Sequence, residues 1–125
     1  MLEDVLDNLK SIEYWHYSPA KFQRTKPRST TKKAVLGRIK RAFSEPMDLL
    51  PYYAEDPHEP RYITILNTSN GRQVGVKVLR NILVSEGKCY ETQSGQLRQV
   101  LESLPRGTVE SVSHCPSLKM TEHHT

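Results

Sequence analysis

The sequence predicts an α+β fold: an N-terminal amphipathic helix, a basic arm, and a small core in which one or two helices pack on a β-hairpin. Apolar residues recur with helical spacing in the first twelve positions, and charge is strongly segregated through the first half of the chain. In the second half, β-branched residues flank Asn70-Gly71. A chain of 125 residues is long enough for one domain with a modest core.

The N-terminal helix, within residues 1–17, is predicted from a stripe of apolar residues with acidic side chains between them. The stripe consists of Leu2, Val5, Leu6, Leu9 and Ile12. Tyr14, Trp15 and Tyr17 follow, and Pro19 disfavours helix at the residue before it. We expect the aromatic residues to cover the helix end, with an anchor at a membrane interface as the alternative.

Residues 18–60 are predicted to form a basic arm followed by an acidic loop. The stretch 21–31 has too few apolar residues to fold alone, which predicts a linker. Thr30 and Thr31 offer an N-cap for a second helix, residues 32–44. The apolar face of that helix consists of Val35, Leu36, Ile39, Ala42 and Phe43, opposite a cationic face. Because Gly37 weakens it, we expect the helix to form fully only when docked.

Four prolines and five acids between residues 45 and 60 argue against any regular element there. An apolar and aromatic island interrupts this loop, and either docks onto a partner protein or folds back on its own core. The residues assigned to partner docking are Leu50, Pro51, Tyr52 and Tyr53.

The core is expected within residues 61–113. Residues 61–68 and 72–78 flank Asn70-Gly71, a strong signal for a two-residue hairpin. From residue 79 the apolar spacing favours a short helix ended by Gly87, with a continuing strand as the rival. Ser94 can cap a helix over residues 95–104, and residues 108–112 can form a last strand before a loose tail, 114–125.

No pattern indicates catalysis, a cofactor or a metal. The candidate ligands are Cys89, His114, Cys115, His123 and His124, and their spacing matches no common zinc site. Both cysteines are expected to be reduced thiols. Carboxylates cluster only in residues 1–13 and 45–59, where helix capping and solubility account for them. These observations favour a non-enzymatic protein. Residues 1–10 lack the basic-then-apolar order of a signal peptide, and no apolar stretch is long enough to span a bilayer. We therefore expect a protein of the cell interior, located in the cytoplasm, at a membrane periphery or in the nucleus.

The candidate binding segment is residues 21–41, which contain nine basic residues and no acid. They are Lys21, Arg24, Lys26, Arg28, Lys32, Lys33, Arg38, Lys40 and Arg41. Such a segment can neutralise nucleic-acid phosphates, or it can bind an anionic membrane with Ile39 and Phe43 entering the headgroup region. A solvated surface without a partner is the third interpretation. A protein partner and self-association are also expected.

Residues 32–113 resemble the front part of a rhabdovirus matrix protein. The similar features are the basic amphipathic stretch Lys32 to Arg41, the Pro, Tyr and acid segment Leu50 to Pro57, and a β-rich core. The layout of Asn70-Gly71, Leu79 to Leu83, Tyr90 and a helix through Leu104 is also similar. The resemblance implies a structural virion protein that bridges membrane and nucleocapsid through Lys32, Lys33, Arg38, Lys40 and Arg41.

Overall fold

A computed structural model describes residues 2–112, so the predicted tail lies outside the described residues. The predicted mixture of helices and antiparallel strands is confirmed. The sheet is far larger than the predicted hairpin, because nine strands within residues 2–112 join one antiparallel sheet. No helix in this range has the length and apolar character needed to cross a bilayer.

The helices are α1 (Leu2–Asp7), α2 (Lys33–Ala42) and α3 (Gln96–Ser103). The strands are β1 (Leu9–Ser18), β2 (Gln23–Thr25), β3 (Arg28–Thr30), β4 (Met47–Leu50), β5 (Arg61–Thr68), β6 (Gln73–Val78), β7 (Ile82–Ser85), β8 (Lys88–Thr92) and β9 (Val109–Ser111). The strand order is β4-β8-β7-β6-β5-β1-β2-β9, and β3 pairs with β1 beside β2.

The first prediction to fail is the long N-terminal helix. α1 ends at Asp7, and the chain enters β1 at Leu9. Aromatic and β-branched residues that alternate between two buried faces favour a strand here over the helical stripe that Leu9 and Ile12 suggested. Tyr14 therefore faces one side of the sheet, while Trp15 and Tyr17 belong to a cluster on the other side. The predicted end of the element before Pro19 is confirmed, although the element that ends there is strand β1 and not a helix.

The basic arm is not a linker. β2 pairs with the end of β1 at Tyr17 and Ser18, and β3 pairs with its middle from Ile12 to Tyr14. The short strands need few apolar residues of their own because β1 supplies both the hydrogen-bonding edge and the core beneath it. β9 adds to the outer edge of β2, as the predicted last strand.

The hairpin at Asn70-Gly71 is confirmed, with β5 and β6 paired from Tyr62–Val78 to Asn67–Gln73. The helix predicted after Val78 is wrong. A strand is present there as in the rival interpretation, but it does not continue β6: β7 begins at Ile82 and pairs antiparallel with β6. Glu86 and Gly87 both have positive φ, 52° and 76°, and join Ser85 to Lys88 as a two-residue hairpin turn. Turns with two positive φ angles match the twist of paired strands, so the glycine marks a hairpin and not a helix end.

Two predicted helices are present, but neither has the cap that we expected. Lys32 precedes α2 without a side-chain cap, and Gly95, not Ser94, occupies the N-cap of α3 with φ 63°. The buried carboxylate of Glu45 accepts hydrogen bonds from the backbone N–H groups of Ser94 and Gln96, each at 3.2 Å. A carboxylate at the positive end of α3 stabilises the helix from a distant part of the chain.

The acidic loop contains one regular element that the sequence did not predict. β4 pairs with β8 from Met47–Thr92 to Leu50–Cys89 and forms one edge of the sheet. Pro46 and Pro51 lie immediately outside β4, where their missing N–H groups interrupt no ladder.

Beyond β4, the loop is held against the sheet by one carboxylate. Glu55 accepts hydrogen bonds from the Nζ of Lys77, at 2.7 and 3.0 Å, and from the Nη1 of Arg61. Arg61 also donates to the backbone carbonyls of Asp56 and Glu59, at 2.8 and 3.0 Å. Arg61 is 4% exposed and Lys77 7%, so Glu55 is the shared counter-charge of two cations that are largely shielded from water.

The sheet has an apolar cluster on each face. α2 and α3 cover one face, where Ile12, Leu66 and Val76 join the buried helix residues Ile39 and Leu101. The other face carries a smaller cluster of Trp15, Tyr17, Ile63 and Ile65, against which Val112 packs. β1 contributes to both clusters, and this fixes the register of the basic strands beside it.

Replacing Glu55 by Gln should lower the free energy of unfolding by about 2–3 kcal/mol, because two buried cations lose their counter-charge. The carboxylate is 25% exposed, which places the expected loss below that of a fully buried pair. Urea unfolding of the wild type and the variant measures this loss in the free energy of unfolding. The control is Glu59→Gln, since within residues 2–112 the Glu59 side chain accepts a single hydrogen bond, from the backbone N–H of Arg80 at 3.3 Å.

In the double variant Glu55→Gln/Lys77→Met, part of the loss should be recovered, because one uncompensated charge is removed. Equal stability of Glu55→Gln and Glu59→Gln would show that the carboxylate does not hold the loop through its charge.

Candidate polyanion interface

The nine predicted binding cations fall into three groups in the structure. Lys21 and Arg24 line a cleft at the end of β1, and Arg38 contacts α3. The remaining six are exposed and form what we call the basic face: Lys26, Arg28, Lys32, Lys33, Lys40 and Arg41. Along the chain, these cations extend from the β2–β3 connection to the C-terminal end of α2.

α2 presents the cations outward because its apolar side is used by the protein's own core. Leu36, Ile39 and Ala42 are buried, and Phe43 packs against the same cluster. The Nη2 of Arg38 donates to the Oγ of Ser103 at 2.8 Å and links α2 to α3. Ile39 is fully buried, so the predicted entry of Ile39 and Phe43 into a membrane does not fit the folded helix.

A cationic cleft lies where the end of β1 meets the segment after α3. It has a volume of about 220 Å³ and is lined by His16, Ser18, Lys21, Gln23, Arg24, Thr25, Arg106 and Val109. Arg106 is held in place by Tyr62: it donates to the phenol oxygen and lies 5.6 Å from the centre of the ring. The His16 ring meets the same tyrosine edge-on, with centroids 4.9 Å apart.

The segment that carries Arg106 is fixed to the basic strands by their backbones. The N–H of Lys26 donates to the carbonyl of Thr108 at 2.8 Å. Gly107 directly precedes Thr108. Glycine is required there because a Cβ atom would collide with the carbonyl oxygen of Lys26. Arg106 is therefore brought beside Lys21 and Arg24 although more than 80 residues separate them in the chain.

A second cleft has a volume of about 200 Å³, and Leu104 and Pro105 form part of its wall. Arg28 and Lys32 supply its charge, Ser29 and Thr30 its hydroxyl groups, and its remaining walls are Tyr14, Val35, Leu104 and Pro105. Tyr14 donates to the carbonyl of Pro105 at 3.0 Å. Burial raises the pKa of Tyr14, and the nearby charge of Arg28 partly opposes that rise, so the phenol stays neutral at physiological pH.

Carboxylates and cations in the first half of the chain differ in their binding partners within the protein. Four of the five carboxylates in residues 45–59 bind the protein's own groups: Glu45, Glu55, Asp56 and Glu59. By contrast, no residue of the basic face forms an ion pair within the described part of the chain. The positive charge of this surface is thus not paired with carboxylates of residues 2–112.

The predicted docking residues are only partly available. Leu50 lies in β4 and Tyr53 is half-buried, whereas Pro51 is exposed and Tyr52 is 81% exposed. Tyr53 lines a third cleft, of about 400 Å³, with Asp56, His58, Glu59, Pro60, Arg80 and Ile82. Burial, together with the carboxylates of Glu59 and Glu55, raises the pKa of Tyr53. The segment both packs on the protein and offers an exposed aromatic ring.

The metal-ligand residue types do not cluster in the structure. Cys89 is a half-buried free thiol on β8, and no group of three or more candidate ligands occurs within residues 2–112. The other candidates from the sequence, His114, Cys115, His123 and His124, lie outside the described residues.

His16 and Arg106 are the functional candidates that the sequence did not reveal. His16 was hidden in an aromatic stretch that was interpreted as the cover of a helix end. Arg106 stands alone after Pro105, and the only local signal was the Pro-Arg-Gly tripeptide, typical of a turn.

Comparison with protein-family models, curated proteins and solved structures finds no match for this chain.

We expect His16 to make stability depend on pH. Burial, followed by the positive charges of Arg106 and Arg98, lowers the pKa of His16, while Glu102 opposes the shift. The unfolded chain then protonates this histidine more readily, at its ordinary pKa of about 6.5. The contribution of neutral His16 to the free energy of unfolding is therefore fully present above about pH 6.5 and is lost as the pH falls below that value.

Urea unfolding at about pH 7.5 and about pH 5.5 tests this, since the two values bracket the ordinary histidine pKa. His16→Gln should lose less stability between them than the wild type, whereas His58→Gln, at an exposed position, should behave as the wild type does. The same acid-induced loss in all three proteins would contradict the assignment.

Proposed function

We propose that this protein is a non-catalytic adaptor or structural protein that binds a phosphate-rich polyanion, nucleic acid or nucleoprotein, through its basic face. The observation that carries the proposal is the division of charge: carboxylates of residues 45–59 bind groups elsewhere in the protein, and the cations of the basic face are exposed without ion-pair partners among residues 2–112. Lysine and arginine in such a surface release counterions when they meet phosphates.

Binding of this kind is independent of base sequence, because it depends on phosphates and not on base edges. The cleft beside Arg28 and Lys32 adds the hydroxyl groups of Ser29 and Thr30 to these cations, a combination suited to phosphate oxygens. The cations are carried by paired strands and a packed helix, so little of their backbone has to be ordered on binding.

Nucleic acid is favoured over a membrane by the burial of the apolar side of α2. A helix that binds in the headgroup region needs that side free, and Leu36 and Ile39 are inside the core. A small nucleic-acid-binding regulator, the alternative to an adaptor, would use the same surface without a protein partner.

A peripheral membrane protein is the second candidate, and one exposed aromatic side chain favours it. Phe22 is 53% exposed at a turn with positive φ, between Lys21 and Arg24. An apolar tip between cations suits an anionic bilayer surface, with each cation near the surface adding about 1 kcal/mol.

The adaptor role requires a second contact, which we assign to the exposed part of Leu50, Pro51, Tyr52 and Tyr53. Tyr52 and Leu49 are 81% and 60% exposed, and Leu49 belongs to the edge strand β4. A protein partner or a second copy of the chain that binds here would leave the basic face open. A protein with these two separate contacts, one for an anionic surface and one for a protein, would be matrix-like.

The first test is a salt titration of binding to a single-stranded RNA of about 20 nucleotides. In the variant with Lys32, Lys33, Lys40 and Arg41 changed to Gln, affinity at low salt should fall roughly 10-fold or more. The slope of log K against log salt should become shallower by about 0.7 for each phosphate that the protein no longer neutralises.

The matched control changes the same number of charges at exposed positions outside the basic face: Lys10, Arg72, Arg80 and Lys88 to Gln. The two variants have the same net charge, so a larger loss of RNA affinity in the basic-face variant would be due to the location of the removed charges. If wild-type binding is absent, or if both variants weaken it equally, the basic face is not the binding surface.

The second candidate is tested by sedimentation with vesicles that contain phosphatidylserine. Phe22→Ser should abolish most of the wild-type binding if Phe22 enters the bilayer, since burial of a phenylalanine side chain contributes about 1.5–3 kcal/mol. Val109→Ser, which removes another exposed apolar side chain, is the control. Wild-type protein that stays in the supernatant would remove this candidate.

A further inference from the structure

The cationic cleft at the end of β1 has the composition of a site for one compact anion. Its lining carries the cations Lys21, Arg24 and Arg106 together with the imidazole of His16, and no carboxylate lines it. Side-chain hydroxyl and amide groups complete the wall, from Ser18, Gln23 and Thr25. A cleft in which every polar lining group can donate a hydrogen bond is suited to an anionic acceptor.

We propose that this cleft binds a phosphate monoester group. A phosphate monoester carries nearly two negative charges at neutral pH and presents three terminal oxygens, which matches several converging donors better than a single carboxylate does. The site goes beyond the proposed polyanion surface, because such a group could be bound here whether or not α2 meets nucleic acid.

The donors are held in position before any ligand arrives. Arg106 rests on Tyr62, which is 2% exposed, through a hydrogen bond and the face of the ring. The backbone N–H of His16 donates to the Oγ1 of Thr25 at 2.8 Å, which fixes β2 beside the histidine. Preorganised donors cost little ordering when the ligand binds.

Arg24 remains able to bind although it has an internal partner. Glu110 lies 3.4 Å from its Nε, and this atom makes no hydrogen bond within the described residues. The ion pair orients the guanidinium from the β9 side and leaves its two amino groups for phosphate oxygens.

His16 is placed to respond to the ligand. The charged groups that face it are Arg106, Arg98 and Glu102, and Lys21 and Arg24 line the same cleft. In the free protein, burial and the arginines keep the pKa of this imidazole low. A bound dianion opposes the cations, so ligand binding should be accompanied by proton uptake at His16.

The test is calorimetric titration with adenosine 5′-monophosphate, with adenosine as the phosphate-free comparison and inorganic phosphate as the minimal ligand. Arg24→Gln and Lys21→Gln should each weaken monophosphate binding roughly 10-fold, as expected for a lost charge-assisted hydrogen bond. Lys21 is an exposed residue, so its replacement should leave the fold intact. Arg72→Gln is the matched control, because Arg72 is likewise paired with a glutamate, Glu86, at 3.3 Å.

A soluble inositol phosphate headgroup, titrated in parallel, distinguishes a lipid source of the phosphate from a nucleotide source by which ligand binds more tightly. Equal binding of adenosine and its monophosphate, no saturable binding of any phosphate, or equal effects of Arg24→Gln and Arg72→Gln would overturn the proposal.

The variant with Lys32, Lys33, Lys40 and Arg41 changed to Gln separates the two hypotheses. It should lose RNA affinity and keep monophosphate affinity. Failure of the cleft alone would show as RNA binding without monophosphate binding, and failure of the basic face alone would show as the reverse.

Discussion

The structure depends on a single strand whose two faces and two edges are all occupied. β1 pairs with β5 along one edge and with β2 and β3 along the other, and its side chains enter both apolar clusters. A one-residue slip would exchange the contents of the two clusters, so the register of β1 is tightly specified. The basic strands take their positions from it, and the cationic cleft exists because β2 and the segment after α3 meet at its end.

The second constraint is the internal use of negative charge. Arg61 and Lys77 are buried by the strands that carry them, and Glu55 forms an ion pair with each from a loop that has no regular structure of its own. Glu45 acts similarly at the start of α3. No carboxylate of residues 2–112 forms an ion pair with the basic face, and the field of its cations therefore extends into solvent.

Prediction from sequence succeeded where one local signal dominated. Asn70-Gly71 specified a hairpin, and the helical spacing of Leu97 and Leu101 specified α3 because that spacing alone accounts for their burial. It failed where two patterns overlapped: Leu9 and Ile12 fit the helical stripe, but they belong to a strand whose aromatic residues alternate between two buried faces. Gly87 was ambiguous in the same way, since a glycine with positive φ ends helices and also builds hairpin turns.

For the candidate site, the sequence identified the cations but not their grouping. Charge density along the chain located Lys21, Arg24 and the α2 cations, because a local count needs no tertiary information. Arg106 and His16 join Lys21 and Arg24 only through long-range strand pairing and the close backbone approach at Gly107. Local patterns do not encode such proximity, so a cleft assembled from separate segments of the chain could not be inferred from them.

The edge strand β4 has a consequence for self-assembly. Its outer side is not paired within the described residues, and an open edge can template the addition of further strands. β4 has only four residues, however, and lies between Pro46 and Pro51, neither of which has an N–H group to donate. An added strand would gain few hydrogen bonds before reaching a proline, so the addition of strands at the β4 edge is disfavoured.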